Sequence, residues 1–340
     1  MDIVDIHSHL YPRWYLDLLT QRTEAPRVSQ GPAGERLILF PDEAAAGSTG
    51  GRPLGDEFWD VGRKLEFMDR FGIARAVLSF GNPWLDVFDS STSRDLADRA
   101  NVDLAEIQSR SNGRLASMGV LPVGLADAPL AVGRIVELDL RGIVMGTRPC
   151  GRMLDDPDLE VIWAAAERSR LPILIHPHFG VGIVDMGGLG HAGPVALAFP
   201  FETTLAAMRL ATAGVLHRHP DLQLILSHGG GALPFLVGRI DAGWRSDRSL
   251  HERLPHPPSV DLKRVALDVV LFDPGAMLAA AALVGTSRLS FGTDHPFSIA
   301  DPERTLSAVD ATFEADERLA VLGGNARRLF RLADRAPQQP

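Results

Sequence analysis

The chain has 340 residues, of which 45% are hydrophobic and 23% are charged, so it can bury a large core and has the composition of an ordinary globular protein. Its net charge of −9 argues against a nucleic-acid partner, and no apolar stretch reaches the length of a membrane span. The single cysteine, Cys150, excludes an internal disulfide and, with no signal-peptide pattern at the N-terminus, leads us to expect a reducing, cytoplasmic location.

The first predicted element is a short strand, Asp2–Ile6, which is followed by two histidines. Side chains two positions apart on a strand point to the same side, so His7 and His9 should direct their imidazoles to one point. Ser8 between them should face the opposite side. A single histidine near a strand end is more often structural than a ligand, but two on one face indicate the beginning of a divalent-metal site.

Short β-rich runs and longer amphipathic stretches then alternate along the chain, which predicts a parallel sheet of the α/β class. The number of strands and the polar residues at their ends favour a closed (β/α)8 TIM barrel of one domain, residues 1–334, with a frayed tail at 335–340. A Rossmann fold is disfavoured because no GxGxxG follows the first strand. The seven further predicted strands are Ala74–Ser79, Ala116–Leu121, Gly142–Met145, Ile173–Ile175, Gln223–Leu226, Val265–Val269 and Arg288–Phe291.

Two segments are too long to be simple connections between a strand and a helix. Residues 20–57 are rich in Gly, Pro and acidic residues and are predicted to be an inserted loop or lid after the first strand. The segment Phe179–Phe201 is rich in glycine. Long loops in compact domains are usually functional lids or disordered segments, and both of these should lie over the mouth of the barrel.

Three later strands end in residues that can bind a metal. His176 follows the apolar run Pro172–Ile175, and His178 lies on the same face, where we interpret it as a substrate-facing or supporting group. His228 precedes three glycines, which also fits a plain strand–helix turn. Asp294 follows a buried strand, where an unpaired carboxylate would be costly and a metal ion or a proton would reduce that cost.

Four such elements at the same end of successive units predict a site for one divalent metal ion. Mixtures of His and Asp suit zinc best, with manganese or iron as alternatives. The fourth predicted strand and its end, residues 142–147, offer no Lys, Glu or Cys that could bridge a second ion. A single metal ion is therefore the better interpretation.

Taken together, these motifs resemble the amidohydrolase superfamily, and specifically its branch of non-oxidative decarboxylases, which includes α-amino-β-carboxymuconate-ε-semialdehyde decarboxylase and 5-carboxyuracil (isoorotate) decarboxylase. The likeness runs over nearly the whole chain, although the two long segments differ from those relatives in length and residues. The motifs that carry it are DIHSHLYP (5–12), GRPL (51–54), NPWLD (82–86), RGIVMGT (141–147), IHPHFG (175–180), ALAFPFETT (196–204), SHGGGALPFLVGRID (227–241) and FGTDHPF (291–297).

The resemblance implies one metal ion held by His7, His9, His176 and Asp294, with His228 and Asp294 as the catalytic residues. It also implies a substrate pocket lined by Arg52, Asn82, Arg239 and Phe297, to which our interpretation of the sequence adds His178. In relatives of this kind the arginine at the position of Arg239 can reach the site of a neighbouring subunit, which implies a homodimer or a higher homo-oligomer. Without the resemblance, Arg52 and Arg239 would be surface arginines, and Phe297 and Trp84 core aromatics, by default.

The leading functional prediction is a metal-dependent carboxy-lyase that releases CO2 from a small aromatic, heteroaromatic or unsaturated carboxylic acid. A metal ion can polarise such an acid, and His228 and Asp294 would manage the proton that replaces CO2. The alternative is a metal-dependent hydrolase on the same barrel, a lactonase or cyclic amidase, in which His228 would activate a water molecule. A third possibility is a barrel that binds a metal or ligand without catalysis, since fold alone does not separate these functions.

Overall fold

The computed structural model describes residues 2–41, 43, 50–122, 128–178, 189 and 192–333. Its main sheet has eight parallel strands, each hydrogen-bonded to the next along the sequence. The predicted tail at 335–340 and much of the predicted loop Phe179–Phe201 lie outside the described residues. The strands are β1 (Ile3–His9), β5 (Ile73–Ser79), β6 (Leu115–Val120), β7 (Gly142–Gly146), β8 (Ile173–His176), β9 (Leu224–Leu226), β10 (Ala266–Asp268) and β11 (Leu289–Ser290).

The first and last strands of this sheet meet and close it. Backbone hydrogen bonds run from Ile6 N to Phe291 O at 3.0 Å and from His9 N to His295 O at 2.7 Å. The sheet is therefore a (β/α)8 barrel, as predicted. β1 is longer than predicted and continues through His9, because Ser8 and His9 pair with the end of β5.

The helices carry an apolar face against the strands, as their periodicity predicts. In the helix Val61–Arg70, for example, the N-cap Asp60 accepts a hydrogen bond from Arg63 N, and Met68 is buried against the barrel. The helices are α1 (Arg13–Thr20), α2 (Val61–Arg70), α3 (Ser90–Arg110), α4 (Ala128–Glu137), α5 (Glu160–Ser169), α6 (Phe199–Thr212), α7 (Val215–Arg218), α8 (Leu233–Ser246), α9 (Arg248–Arg253), α10 (Pro258–Leu262), α11 (Pro274–Val284), α12 (Pro302–Thr312), α13 (Ala315–Leu319) and α14 (Asn325–Leu329).

The insertion after β1 contains a small sheet of its own rather than loop alone. Its three antiparallel strands are β2 (Arg27–Gly31), β3 (Gly34–Ile38) and β4 (Arg52–Pro53). Val28 and Leu37 pair across β2 and β3 and are buried, which gives this sheet its apolar side. Leu37 also pairs with Arg52, so the small sheet fixes the backbone position of that arginine.

The apolar interior consists of side chains between the strands and the surrounding helices, and of a second cluster that extends under the insertion. Across the described ranges, none of the helices is both long and apolar enough to pass through a bilayer. The strand ends that carry polar residues all open on one rim of the barrel, the face on which barrel enzymes place their active sites.

Candidate metal centre and active site

Four of the predicted ligands converge at the carboxyl-terminal rim of the barrel. His7 and His9 come from β1, His176 ends β8, and Asp294 follows β11. One ligand atom of each lies within 4.8 Å of the others, and all four residues are buried. The Nε2 atoms of His7 and His9 are 3.1 Å apart, and each lies 3.3 Å from Asp294 Oδ1.

These separations fit a bound metal ion. Zinc bonds of about 2.0–2.2 Å in tetrahedral geometry place neighbouring ligand atoms about 3.3–3.5 Å apart. His176 Nε2 and Asp294 Oδ1 are both buried, and neither atom has a hydrogen-bond partner within the described part of the chain. Buried polar atoms are almost always partnered, so a cation between these atoms would satisfy both. The residue set therefore fits one divalent metal ion.

The charges around His7 also favour a cation at this point. Burial works against a charged imidazole, but the carboxylates of Asp294 and Asp268 outweigh it and raise the pKa of His7 to about 10. Burial lowers the pKa of His9 to about 4 and that of His176 well below its usual value. The imidazoles of His9 and His176 therefore stay neutral and keep the lone pair that a metal ligand needs. The carboxylates of Asp294 and Asp268 around His7 favour a positive charge in the site.

Asp268, the carboxylate that orients His7, was not predicted from the sequence. Its Oδ2 accepts a hydrogen bond from His7 Nδ1 at 2.7 Å, and the same side chain accepts from the backbone N–H groups of His228 and Gly229. Asp268 therefore fixes the tautomer of His7 with Nε2 free for a metal. The sequence contains one sign of this role, since Asp268 is an acidic residue within the otherwise apolar predicted strand Val265–Val269.

Asp268→Asn should weaken metal binding at this site about 10- to 100-fold, the usual cost of removing a carboxylate that supports a ligating histidine. Competition with a zinc-binding dye measures the affinity. Asp273→Asn is the matched control, because Asp273 caps α11 through Ala276 N and does not contact the site. Unchanged affinity in Asp268→Asn would contradict the orienting role.

A second buried network lies behind β1 and was also missed. Lys64 of α2 is fully buried, and its Nζ donates to Ser8 Oγ at 2.7 Å and contacts His295 Nδ1 at 2.5 Å. Burial lowers the pKa of Lys64 to about 7, although the charge of Asp5 acts in the opposite direction and raises it. Asp5 itself accepts hydrogen bonds from Thr293 and from the backbone of His7. This network locks β1 to the segment that carries Asp294.

His228 approaches the metal site from the end of β9. Its Nε2 lies 3.5 Å from Asp294 Oδ2, and its backbone N–H is held by Asp268. Both His228 (φ 54°) and Asp294 (φ 62°) have left-handed backbones, which are uncommon for residues other than glycine. Such strain concentrates at functional sites, where the surrounding contacts compensate for it.

A small cavity opens beside these residues. Arg52 is nearly fully buried in its wall, where its guanidinium lies 4.9 Å from the centre of the Phe297 ring. The Nε and Nη2 atoms of Arg52 have no hydrogen-bond partner within the described ranges. The cavity is lined by the candidate metal ligands His176 and Asp294 together with His228, Arg52, Asn82 and Phe297.

The structure places two other predicted substrate residues away from this cavity. His178 is buried with its Nε2 2.9 Å from Asp86 Oδ2, and it lines a neighbouring, more apolar pocket with Trp84. Its backbone N–H donates to Glu202, and its carbonyl accepts from Asn82. Arg239 is exposed on α8 and does not line the cavity within one chain. The roles expected for both residues stay predictions.

Comparisons with known proteins agree with this geometry. A family model described as Amidohydrolase matches residues 4–332. The chain is 30% identical over 285 residues to 2-amino-3-carboxymuconate-6-semialdehyde decarboxylase of Dictyostelium discoideum, an alignment that covers 81% of this chain and 77% of that protein.

Two solved structures are similar over nearly the whole chain. The IDCase of Metarhizium anisopliae in apo form superimposes with a TM-score of 0.93 at 34% identity, covering 98% of both chains. The 5-carboxyvanillate decarboxylase of Novosphingobium aromaticivorans, complexed with manganese and 4-hydroxy-3-methoxy-5-nitrobenzoic acid, gives a TM-score of 0.83 at 25% identity, covering 97% of this chain and 96% of that one.

Proposed function

Because the chain belongs to the amidohydrolase family, we propose that it is a metal-dependent, non-oxidative carboxy-lyase that releases CO2 from a small ring carboxylic acid. The similar proteins named above are decarboxylases, and the IDCase among them superimposes over 98% of this chain with a TM-score of 0.93. We therefore propose a heteroaromatic acid of the 5-carboxyuracil type as the first substrate to test, with hydroxybenzoic acids next.

One observation carries this proposal: a metal-ligand set and a buried, partly unpartnered guanidinium line the same small cavity. Two cationic groups in one cavity, a bound metal ion and Arg52, would suit a flat acid that carries a carboxylate and a second oxygen substituent. Arg52 would bind that second oxygen, since an unpaired buried guanidinium gains most from an anionic or carbonyl acceptor. Phe297 offers a ring face on the same wall.

In the proposed mechanism His7, His9, His176 and Asp294 would hold the metal ion, which when bound would supply a Lewis acid to the site. Arg52 and Asn82 orient the ring in the cavity. A proton adds first to the ring carbon that carries the carboxylate, which interrupts the conjugation of the ring. The bond to the carboxylate then breaks, CO2 leaves, and the electron pair of that bond restores the conjugation. His228 and Asp294 lie within 3.5 Å of each other and together hold and deliver that proton.

A direct assay separates this function from the hydrolase alternative. The metal-loaded enzyme is incubated with 5-carboxyuracil, 2,6-dihydroxybenzoate and 5-carboxyvanillate, and also with lactones and cyclic amides, while CO2 and ring-opened products are measured. We expect CO2 and the decarboxylated ring. Ring opening without CO2 would favour a hydrolase, and a metal-loaded protein inactive on a broad panel would favour a binding barrel.

Arg52→Met should raise KM for the acid about 10- to 100-fold, because a hydrogen bond to a charged group contributes about 1.5–3 kcal/mol. Michaelis–Menten kinetics on the best substrate of the panel measure the change. Arg63→Met serves as the control, since Arg63 is exposed on α2 and pairs with Asp56 and Glu66. An unchanged KM in Arg52→Met would remove Arg52 from the binding site.

We propose zinc as the resident metal, with manganese as the alternative. Three imidazoles and one carboxylate suit zinc, whereas manganese prefers more oxygen ligands. Manganese is nevertheless the ion in the similar 5-carboxyvanillate decarboxylase. Reconstitution of the chelator-treated protein with each ion separately, followed by the CO2 assay, decides between them.

We also propose that residues 1–334 act as one domain within a cytoplasmic homodimer. Phe235 on α8 is 88% exposed, and Phe201 and Leu205 on α6 are also exposed. Arg239 lies four residues after Phe235, on the same face of α8. A second copy that covers this face would bring Arg239 towards the partner subunit. Light scattering of wild type and Phe235→Asp tests the dimer.

A further inference from the structure

A second group of possible metal ligands lies on the opposite side of the barrel from the active site. It consists of His217 at the end of α7, His256 between α9 and α10, and Asp261 on α10. Since α7 and α10 lead into β9 and β10, these residues lie at the amino-terminal ends of the strands. That face of a barrel supports stability rather than catalysis.

The three side chains are spaced as ligands of one ion would be. His217 Nδ1 and His256 Nε2 are 3.2 Å apart, and His256 Nε2 lies 3.9 Å from Asp261 Oδ1. One ligand atom from each residue lies within 4.8 Å of the others. Tetrahedral zinc needs separations of about 3.3–3.5 Å, so small side-chain rotations would complete the geometry.

The ring of His256 is oriented as that of a metal ligand would be. Its Nδ1 donates to the carbonyl of Pro257 at 3.4 Å, which leaves the lone pair on Nε2. His176 in the active site makes the same contact, from Nδ1 to the carbonyl of Pro177 at 3.1 Å. A ligating histidine usually donates its second ring N–H to a carbonyl or a carboxylate in this way.

Asp261 adds an observation that does not depend on the histidines. The residue is only 3% exposed, and its Oδ1 accepts a hydrogen bond from Arg264 at 2.7 Å. Its Oδ2 is buried and has no hydrogen-bond partner within the described residues. A carboxylate oxygen in this position is costly unless a donor or a cation meets it.

We infer that His217, His256 and Asp261 form a second, structural metal site that binds zinc or a similar divalent transition metal. Water would complete the coordination, because His217 is exposed and His256 is half-buried. The ion would tie α7 to α10 and the segment before it. The site is independent of the proposed reaction, since none of its residues lines the catalytic cavity.

The test counts zinc ions per chain by elemental analysis after equilibrium dialysis of the holoenzyme against micromolar zinc. We expect two ions in the wild type and one in each of His217→Ala and His256→Ala. His251→Ala is the control and should keep two, because His251 is exposed and its ring contacts Trp244 outside the cluster. Turnover in His217→Ala should equal that of the wild type.

Thermal unfolding supplies a second readout. In zinc, the wild type should unfold about 3 °C higher than His217→Ala, and the difference should vanish in chelator. One zinc ion in the wild type would overturn the inference, as would two ions in both His217→Ala and His256→Ala. Either result would leave the proposed carboxy-lyase activity untouched.

Discussion

Replacing His176 by alanine should remove the metal ion from the barrel rim and abolish turnover. His176 is one of the four candidate ligands, and its loss leaves two imidazoles and a carboxylate around a buried position. A site that loses one of its ligands binds its ion far more weakly, and a polarising ion is essential for the proposed reaction. We expect activity to fall at least about 1,000-fold, in line with several kcal/mol of lost transition-state stabilisation.

Metal content and turnover should be measured in the His217→Ala background, so that the second site does not add to the count. That background should hold one ion per chain, and the double variant should hold none. Circular dichroism confirms that the barrel has folded. Full metal occupancy in the double variant would remove His176 from the ligand set, and full activity without a metal would end the proposed mechanism.

Replacing His228 should leave the metal in place and remove most of the rate. The side chain contacts Asp294 from outside the four-ligand cluster, and the backbone of His228 is held by Asp268 whatever the side chain is. A lost general acid or base typically costs about 100- to 10,000-fold in kcat. We expect this loss in His228→Ala, with KM little changed because Arg52 still binds the substrate.

The backbone at residue 228 calls for a second variant. His228 has a φ of 54°, which alanine adopts at a cost and asparagine tolerates well. His228→Asn should therefore fold as the wild type does, keep one ion at the rim and still lose the rate. Wild-type turnover in His228→Asn would exclude His228 from the proton transfer. Loss of the metal in both variants would place it among the ligands instead.

The sequence was most informative where candidate metal-binding residues recur at the ends of strands in repeated strand–helix units. Two histidines two positions apart on a strand must share a face, and the ends of parallel strands must meet at one rim. His7, His9, His176 and Asp294 were therefore predicted as neighbours, and the structure brings them within 4.8 Å. The barrel was predictable for the same reason, because strand and helix periodicities are local properties of the chain.

The insertion shows where local reasoning was incomplete. Residues 20–57 were predicted to be a loop or lid, and the structure gives them a three-stranded sheet. The strands that carry Val28 and Leu37 are only five residues long, and such short strands between Gly and Pro residues are hard to distinguish from loops. Backbone pairing with Leu37 then fixes the position of Arg52, whose surroundings cannot be predicted from the neighbouring sequence.

The sequence by itself predicted the barrel and brought the candidate metal ligands to one rim, because both depend on local periodicity and spacing, whereas its resemblance to a known family supplied the ligand set and the class of chemistry. Only the tertiary structure decided that Asp268 orients His7, that Lys64 lies buried behind β1, and that His217, His256 and Asp261 meet. These contacts join residues distant in the chain, up to 261 positions apart for His7 and Asp268. Packing of whole elements creates them, and no local pattern records which side chains will meet.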